Sequence, residues 1–149
     1  MKLSTRVRYG VRAMIELATY PEGEVVSLND LAQSQRISNK YLEPMMTTLK
    51  IAGLVESVRG KLGGYRLAAP AKSITLWDIY SKLDTSSTLI ECLYQEVNQK
   101  SACPLLQTCA AHEVWEDLSA AMVSVLQSKN IQDLARRQRQ LKSRVKTTK

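Results

Sequence analysis

Cys92, Cys103, Cys109 and His112 are every cysteine and the only histidine of this 149-residue chain, and they fall within 21 residues. Thiolate sulfur and imidazole nitrogen are the ligands that hold zinc or iron–sulfur clusters, and Cys109-x2-His112 sets two of them one helical turn apart at a helix start. The spacing C-x10-C-x5-C-x2-H suits a Cys3His zinc site as well as the two irons of a [2Fe–2S] unit, so it gives ligands without naming the metal. Buried structural thiols with an incidental histidine, or a redox thiol switch, are the other readings. Against the first of these, Gln95–Ser101 between the first two cysteines is polar and loop-like, and such a loop is normally ordered by something it wraps.

No stretch has the length of a membrane span, and the N-terminus lacks the apolar run of a secretory signal. The expectation is a cytoplasmic protein with no membrane partner, where a reducing environment leaves an odd cysteine count to metal or thiolate chemistry.

A second constellation is basic. The net charge of +7 is unevenly spread: residues 1–75 carry 11 basic and 6 acidic side chains, residues 76–133 carry 3 and 8, and residues 134–149 carry 7 and none. A positive N-terminal domain is the electrostatic footprint of a polyanion, because each neutralised phosphate releases counterions. Ser38, Asn39, Lys40, Tyr41 and Glu43 begin one helical pattern, and Arg59 and Lys61 lie on the glycine-rich loop Arg59-Gly60-Lys61-Leu62-Gly63-Gly64. Together they suit base-edge and phosphate contact with double-stranded DNA.

The elements that must position these residues follow from periodicity. Apolar residues recur at helical spacing from Thr5 to Tyr20, from a capping Ser27 to about Gln35, and from a capping Ser38 to Ile51–Ala52, where Gly53 stops the helix. Leu54–Val58 and Tyr65–Ala68 read as two strands around the basic loop, whose glycines suit both turn geometry and close approach to phosphate. Helix, turn, helix and a basic hairpin make a winged helix. A short helix with Thr75 near its cap follows, then the cysteine segment, then a helix over Ala110–Ser128 whose near-heptad apolar stripe suits a twin in a dimer.

The expected fold is therefore mainly α, a winged helix-turn-helix domain with a small β-hairpin wing plus a long C-terminal dimerisation helix. Its expected bounds are 1–84 for the DNA-binding domain (helix-turn-helix about 28–52, wing 54–68), 85–109 for the cluster-binding loop, 110–130 for the dimerisation helix and 131–149 for a basic, partly disordered tail. A two-fold dimer would match a palindromic operator. No phosphate-binding glycine loop opens a helix and no paired catalytic carboxylates stand out, so an enzyme is not expected.

The opening MKLSTRVRYGVRAM, Ile37–Glu43, Gly53–Gly60 with Gly63-Gly64-Tyr65, and Cys109-x2-His112 followed by Val114-Trp115-Glu116-Asp117-Leu118 resemble the Rrf2 family of winged-helix transcription regulators, nearest its IscR branch. The resemblance covers residues 1 to about 130. It implies a homodimer whose long helix crosses its twin, and a [2Fe–2S] cluster on Cys92, Cys103, Cys109 and His112 that alters DNA affinity or sequence choice. A zinc-stabilised or cluster-free thiol-responsive regulator of the same fold, or a [4Fe–4S] nitric oxide or iron sensor, is the alternative. Two features depart from the pattern of the IscR branch, and a third departs from that of the nitric oxide sensors. Ten residues separate the first two cysteines where the branch has five. Arg8 stands where the nitric oxide sensors carry an acidic ligand. Pro44 sits inside the recognition helix, where it removes a donor and crowds the Lys40 carbonyl, so that helix is expected to start late or bend.

Overall fold

The computed structural model describes residues 3–84, 103, 105 and 108–147. Among them, six α-helices and one two-stranded sheet follow the order α1 (Thr5–Leu17), α2 (Leu28–Gln35), α3 (Asn39–Ile51), β1 (Val55–Val58), β2 (Gly64–Leu67), α4 (Leu76–Leu83), α5 (Ala110–Gln127) and α6 (Ile131–Thr147). The architecture is mainly helical, as expected.

Each helix of the N-terminal domain starts at a hydroxyl. Ser4, Ser27, Ser38 and Thr75 accept hydrogen bonds from backbone N–H groups three residues on, and Thr75 with Asp78 forms a reciprocal capping box. These bonds satisfy amides that the first helical turn leaves unpaired. Arg36, at φ 55, closes α2 in the left-handed conformation and turns the chain into Ser38.

Val7, Met14 and Leu17 of α1, Leu31 of α2, Leu42, Met46 and Leu49 of α3, Val55 of β1 and Ile79 and Leu83 of α4 form one buried core. Removing a leucine such as Leu42 to alanine from such a core costs about 2–5 kcal/mol. The core fixes α2 and α3 behind a solvent-facing surface, which is what a reading head needs.

β1 and β2 pair antiparallel with Val58 opposite Gly64, and Val26 adds a bridge through two 2.9 Å bonds with Tyr65. The wing glycines divide their tasks differently from the expectation. Only Gly60 has a left-handed φ, at 117°. A Cβ on Gly63 would stand 2.5 Å from the Val58 carbonyl oxygen, and one on Gly64 would stand 2.1 Å from that of Val26. Backbone crowding at the base of the wing thus explains two of the three.

Three further expectations change. Helix α1 ends at Leu17 rather than Tyr20, with Ala18 as its C-cap. Helix α3 starts at Asn39 without delay and remains α-helical through Pro44 to Ile51; Lys40, Glu43 and Pro44 are all exposed, so water can serve the Lys40 carbonyl that Pro44 leaves unbonded. The segment expected as a partly disordered tail is instead helix α6 over most of its length. Asn130 accepts from Asp133 N at 2.9 Å at its start, Ile131 N donates to the Ile74 carbonyl at 3.0 Å, and Ile131 and Ala135 are fully buried. Two apolar anchors and side-chain tethers to α1 suffice to dock a helix whose remaining residues are mostly polar or charged.

No helix among the described residues is long and apolar enough to cross a membrane.

Candidate metal centre and nucleic-acid interface

Ser38, Asn39, Lys40, Tyr41 and Glu43 all lie on the exposed side of the start of α3. The Ser38 hydroxyl is occupied as the cap, accepting from Tyr41 N at 3.2 Å. Asn39 donates to the Asn29 side chain of α2 at 3.5 Å. The Tyr41 ring meets that of Tyr9 edge-on, centroids 5.8 Å apart, and the Arg12 guanidinium stands 5.3 Å over Tyr9. Arg12 in turn donates to the side-chain and backbone oxygens of Gln35 at 3.0 and 3.2 Å. A chain of contacts from α1 therefore braces the end of α2 and the start of α3.

The wing is tied to α3 through Tyr65. Burial, then the nearby Glu43 carboxylate, push the Tyr65 phenol above its ordinary range, while a hydrogen bond with the Thr47 side chain pulls the other way. Arg59 and Lys61 stand exposed on the loop between the strands. Arg66, by contrast, is held by Glu56 across the sheet at 2.9 Å, so it is a brace of the wing rather than a spare cation. Lys40, Arg59 and Lys61 are the cations the surface offers to a polyanion, with Glu43 as an acid among them.

At the other constellation, Cys109 is the N-cap residue of α5, and its carbonyl accepts from His112 N at 3.0 Å. Cys103 and Cys109 are half-buried thiols. Cys92 lies outside the described residues, and among the described residues no three metal-ligating side chains come together. The His112 imidazole is mostly buried, with a side chain 20% exposed, and its Nε2 lies 3.2 Å from Glu116 Oε1. Its Nδ1 is buried and has no hydrogen-bond partner among the described residues. A buried ring nitrogen without a partner is costly in a protein unless something is meant to meet it. His112 and the adjoining Cys109 thus fit a thiolate and imidazole donor set for zinc or an iron–sulfur cluster. Glu116 escaped the sequence reading, although its spacing of four from His112 on one helix was the signal for it.

Residues 3–137 match the model of the Rrf2 family, described as an iron-dependent transcriptional regulator. The chain belongs to the Rrf2 family. It is 35% identical over 136 residues to the protein rrf2 of Nitratidesulfovibrio vulgaris, covering 91% of this chain and 88% of that one. To the HTH-type transcriptional regulator IscR of Vibrio campbellii it is 37% identical, over 90% of this chain and 77% of that one. Among solved structures, CymR, the global cysteine regulator of B. subtilis, superposes with a TM-score of 0.73 at 36% identity, covering 91% and 96% of the two chains. T. potens IscR superposes at 0.72 with 34% identity, covering 91% and 87%. The Rrf2 proteins are transcriptional regulators, and this one carries their winged-helix, DNA-binding architecture.

Proposed function

We propose that this Rrf2 protein is a homodimeric regulator whose affinity or sequence choice on a palindromic operator is set by a [2Fe–2S] cluster held by Cys92, Cys103, Cys109 and His112. The observation that carries the reading is the buried Nδ1 of His112, without a partner among the described residues, one helical turn after Cys109. When bound, such a group would supply one-electron chemistry and a dependence on iron supply, with one nitrogen ligand weaker than the thiolates.

The protein's own residues do the rest. Asn39, Lys40, Tyr41 and Glu43 face base edges in the major groove, with the Ser38 cap fixing their start, and Arg59 and Lys61 grip phosphates from the wing. Helix α5 begins immediately after Cys109 and fully buries no side chain within the protomer, Met122 and Leu126 packing only partly against the core, while Val114, Trp115, Leu118 and Val125 are exposed along it. A second copy of the chain is the partner that would cover them. Ligation at Cys109 and His112 would fix the first turn of this helix and hence the spacing of the two reading heads.

The test is anaerobic purification followed by visible absorption and iron, sulfide and zinc analysis, then footprinting of loaded and metal-free protein on selected DNA. Iron and sulfide in equal amounts with a changed footprint are expected. A colourless protein holding zinc without sulfide would replace the cluster by a structural zinc, and identical footprints would remove the coupling to DNA.

A further inference from the structure

We propose that Glu116 is the positioning residue of the metal centre: it fixes the His112 tautomer so that Nδ1, and not Nε2, is the coordinating nitrogen. The inference rests on the metal-centre reading above and adds a residue and an atom to it.

In neutral imidazole one nitrogen carries the proton and the other the lone pair, and the hydrogen bond made by one decides the role of the other. Nε2 of His112 lies 3.2 Å from Glu116 Oε1. A carboxylate oxygen can only accept, so this ion-pair contact favours the proton on Nε2 and leaves the lone pair to Nδ1. That same Nδ1 is buried and has no partner among the described residues. Cys109 precedes His112 by three residues and caps the same helix, so the two share a face of its first turn. The free lone pair, the buried setting and the neighbouring thiol agree on one coordinating atom.

Glu116 suits the task for a further reason. Its side chain is 60% exposed, so it packs nothing and its carboxylate is free to keep water contact while it accepts from the imidazole. Glu113, which follows His112 directly, lies about 100° further round the helix and is not paired with the ring. Carboxylates behind a ligating histidine hold the ring orientation and raise its basicity, and losing one typically costs 10- to 100-fold in metal retention.

The experiment compares wild-type protein, E116A, E116Q and H112A, each loaded anaerobically with ferrous iron and sulfide and challenged with a ferrous chelator while the visible absorption is followed. E116A is expected to lose iron about 10- to 100-fold faster than wild type. E116Q should retain it nearly as well, because the amide oxygen still accepts from Nε2–H, and H112A should lose it fastest. A second readout uses protein whose histidine carries 15N at Nδ1 alone: in the one-electron-reduced protein the strong nitrogen hyperfine coupling should come from the labelled atom. Wild-type retention in E116A, or a strong coupling from the unlabelled nitrogen, overturns the inference while leaving the metal centre standing. Wild-type protein that takes up neither iron nor sulfide overturns the cluster reading itself. Because Glu116 is a surface residue, circular dichroism of E116A should match wild type, which separates ligand positioning from misfolding.

Discussion

Lys142 Nζ lies 2.8 Å from both carboxylate oxygens of Glu16, across 126 positions of sequence. Glu16 is almost fully buried on α1, where Gln138 of α6 also donates to it at 2.6 Å and Gln35 of α2 at 3.5 Å. Gln35 is the same residue that receives Arg12, whose guanidinium covers Tyr9 beneath the start of the recognition helix. One buried carboxylate therefore joins α6 to the brace behind the reading head. Arg139 adds bonds to the carbonyls of Ala18 and Thr19 at 3.3 and 3.2 Å, where α1 ends, a favoured place for a cation.

Lys142→Ala should lower unfolding stability by about 1–2 kcal/mol, below the cost of breaking a fully buried pair because the lysine is half exposed. Urea denaturation checks this. Ending the chain after Asn130 should cost more, since Ile131 and Ala135 leave the core as well. An unchanged midpoint in K142A would mean that Gln138 and Gln35 satisfy Glu16 by themselves.

Alkaline pH offers a second measurement. Burial, reinforced by the hydrogen bond to Asp84 and by its negative charge, pushes the Tyr80 phenol up to about 12 from 10.0. Above pH 10 the unfolded chain gives up this proton while the folded chain keeps it, so the folded state binds more protons and stability falls as pH rises. The stabilisation is complete below pH 10 and lost by about pH 12, amounting to roughly 2 kcal/mol. Tyr80→Phe should flatten that part of the stability profile. An equal alkaline slope in both proteins would assign the loss to other groups.

The reading head was legible because its signals are local. Ser27, Ser38 and Thr75 announce helix starts through bonds made three residues away, and the wing's bounds moved by only one residue. Asn39, Lys40, Tyr41, Glu43, Arg59 and Lys61 are exposed in the structure. Helix α6 was read as a tail helical only at its start, and its full length was not legible because Glu16, the buried carboxylate that tethers it, lies far away in sequence. Pro44 misled for the opposite reason: a local rule forecast a late start or a bend, but Lys40 and Pro44 are both exposed, where water can serve a carbonyl that the proline does not. At the candidate metal centre Cys109 and His112 were legible by type, whereas Glu116, 3.2 Å from His112 Nε2, was not singled out.

Binding to DNA divides the interface residues into two classes by salt. Arg59→Ala or Lys61→Ala should weaken binding to all duplexes alike and reduce the slope of log affinity against log salt by about 1 per protomer. Glu43→Ala should instead change which base is preferred at one position of each half-site, a discrimination of about 1–3 kcal/mol. Fluorescence anisotropy on duplexes recovered by selection, repeated at several salt concentrations, measures both. Substitution of Arg59 that alters base preference with no change in salt slope would move the wing from phosphate to base contact.

The proposed dimer can be tested without disturbing the protomer. Val114, Leu118 and Val125 fall on one heptad-like stripe of α5 and are 58%, 37% and 59% exposed. Because α5 contributes no fully buried side chain to its own protomer, Leu118→Glu should leave the melting of the winged-helix domain near that of wild type. Placed against a twin, the same carboxylate would meet apolar surface with no partner, which is strongly unfavourable. Sedimentation should therefore show the mass falling to that of one chain. Affinity for a duplex with both half-sites should fall about 100-fold or more, because two linked heads bind far more tightly than one, while affinity for a single half-site changes little. If L118E still sediments as a dimer, the twin packs on another surface, and ligation at Cys109 and His112 loses its direct mechanical path to the spacing of the two recognition helices.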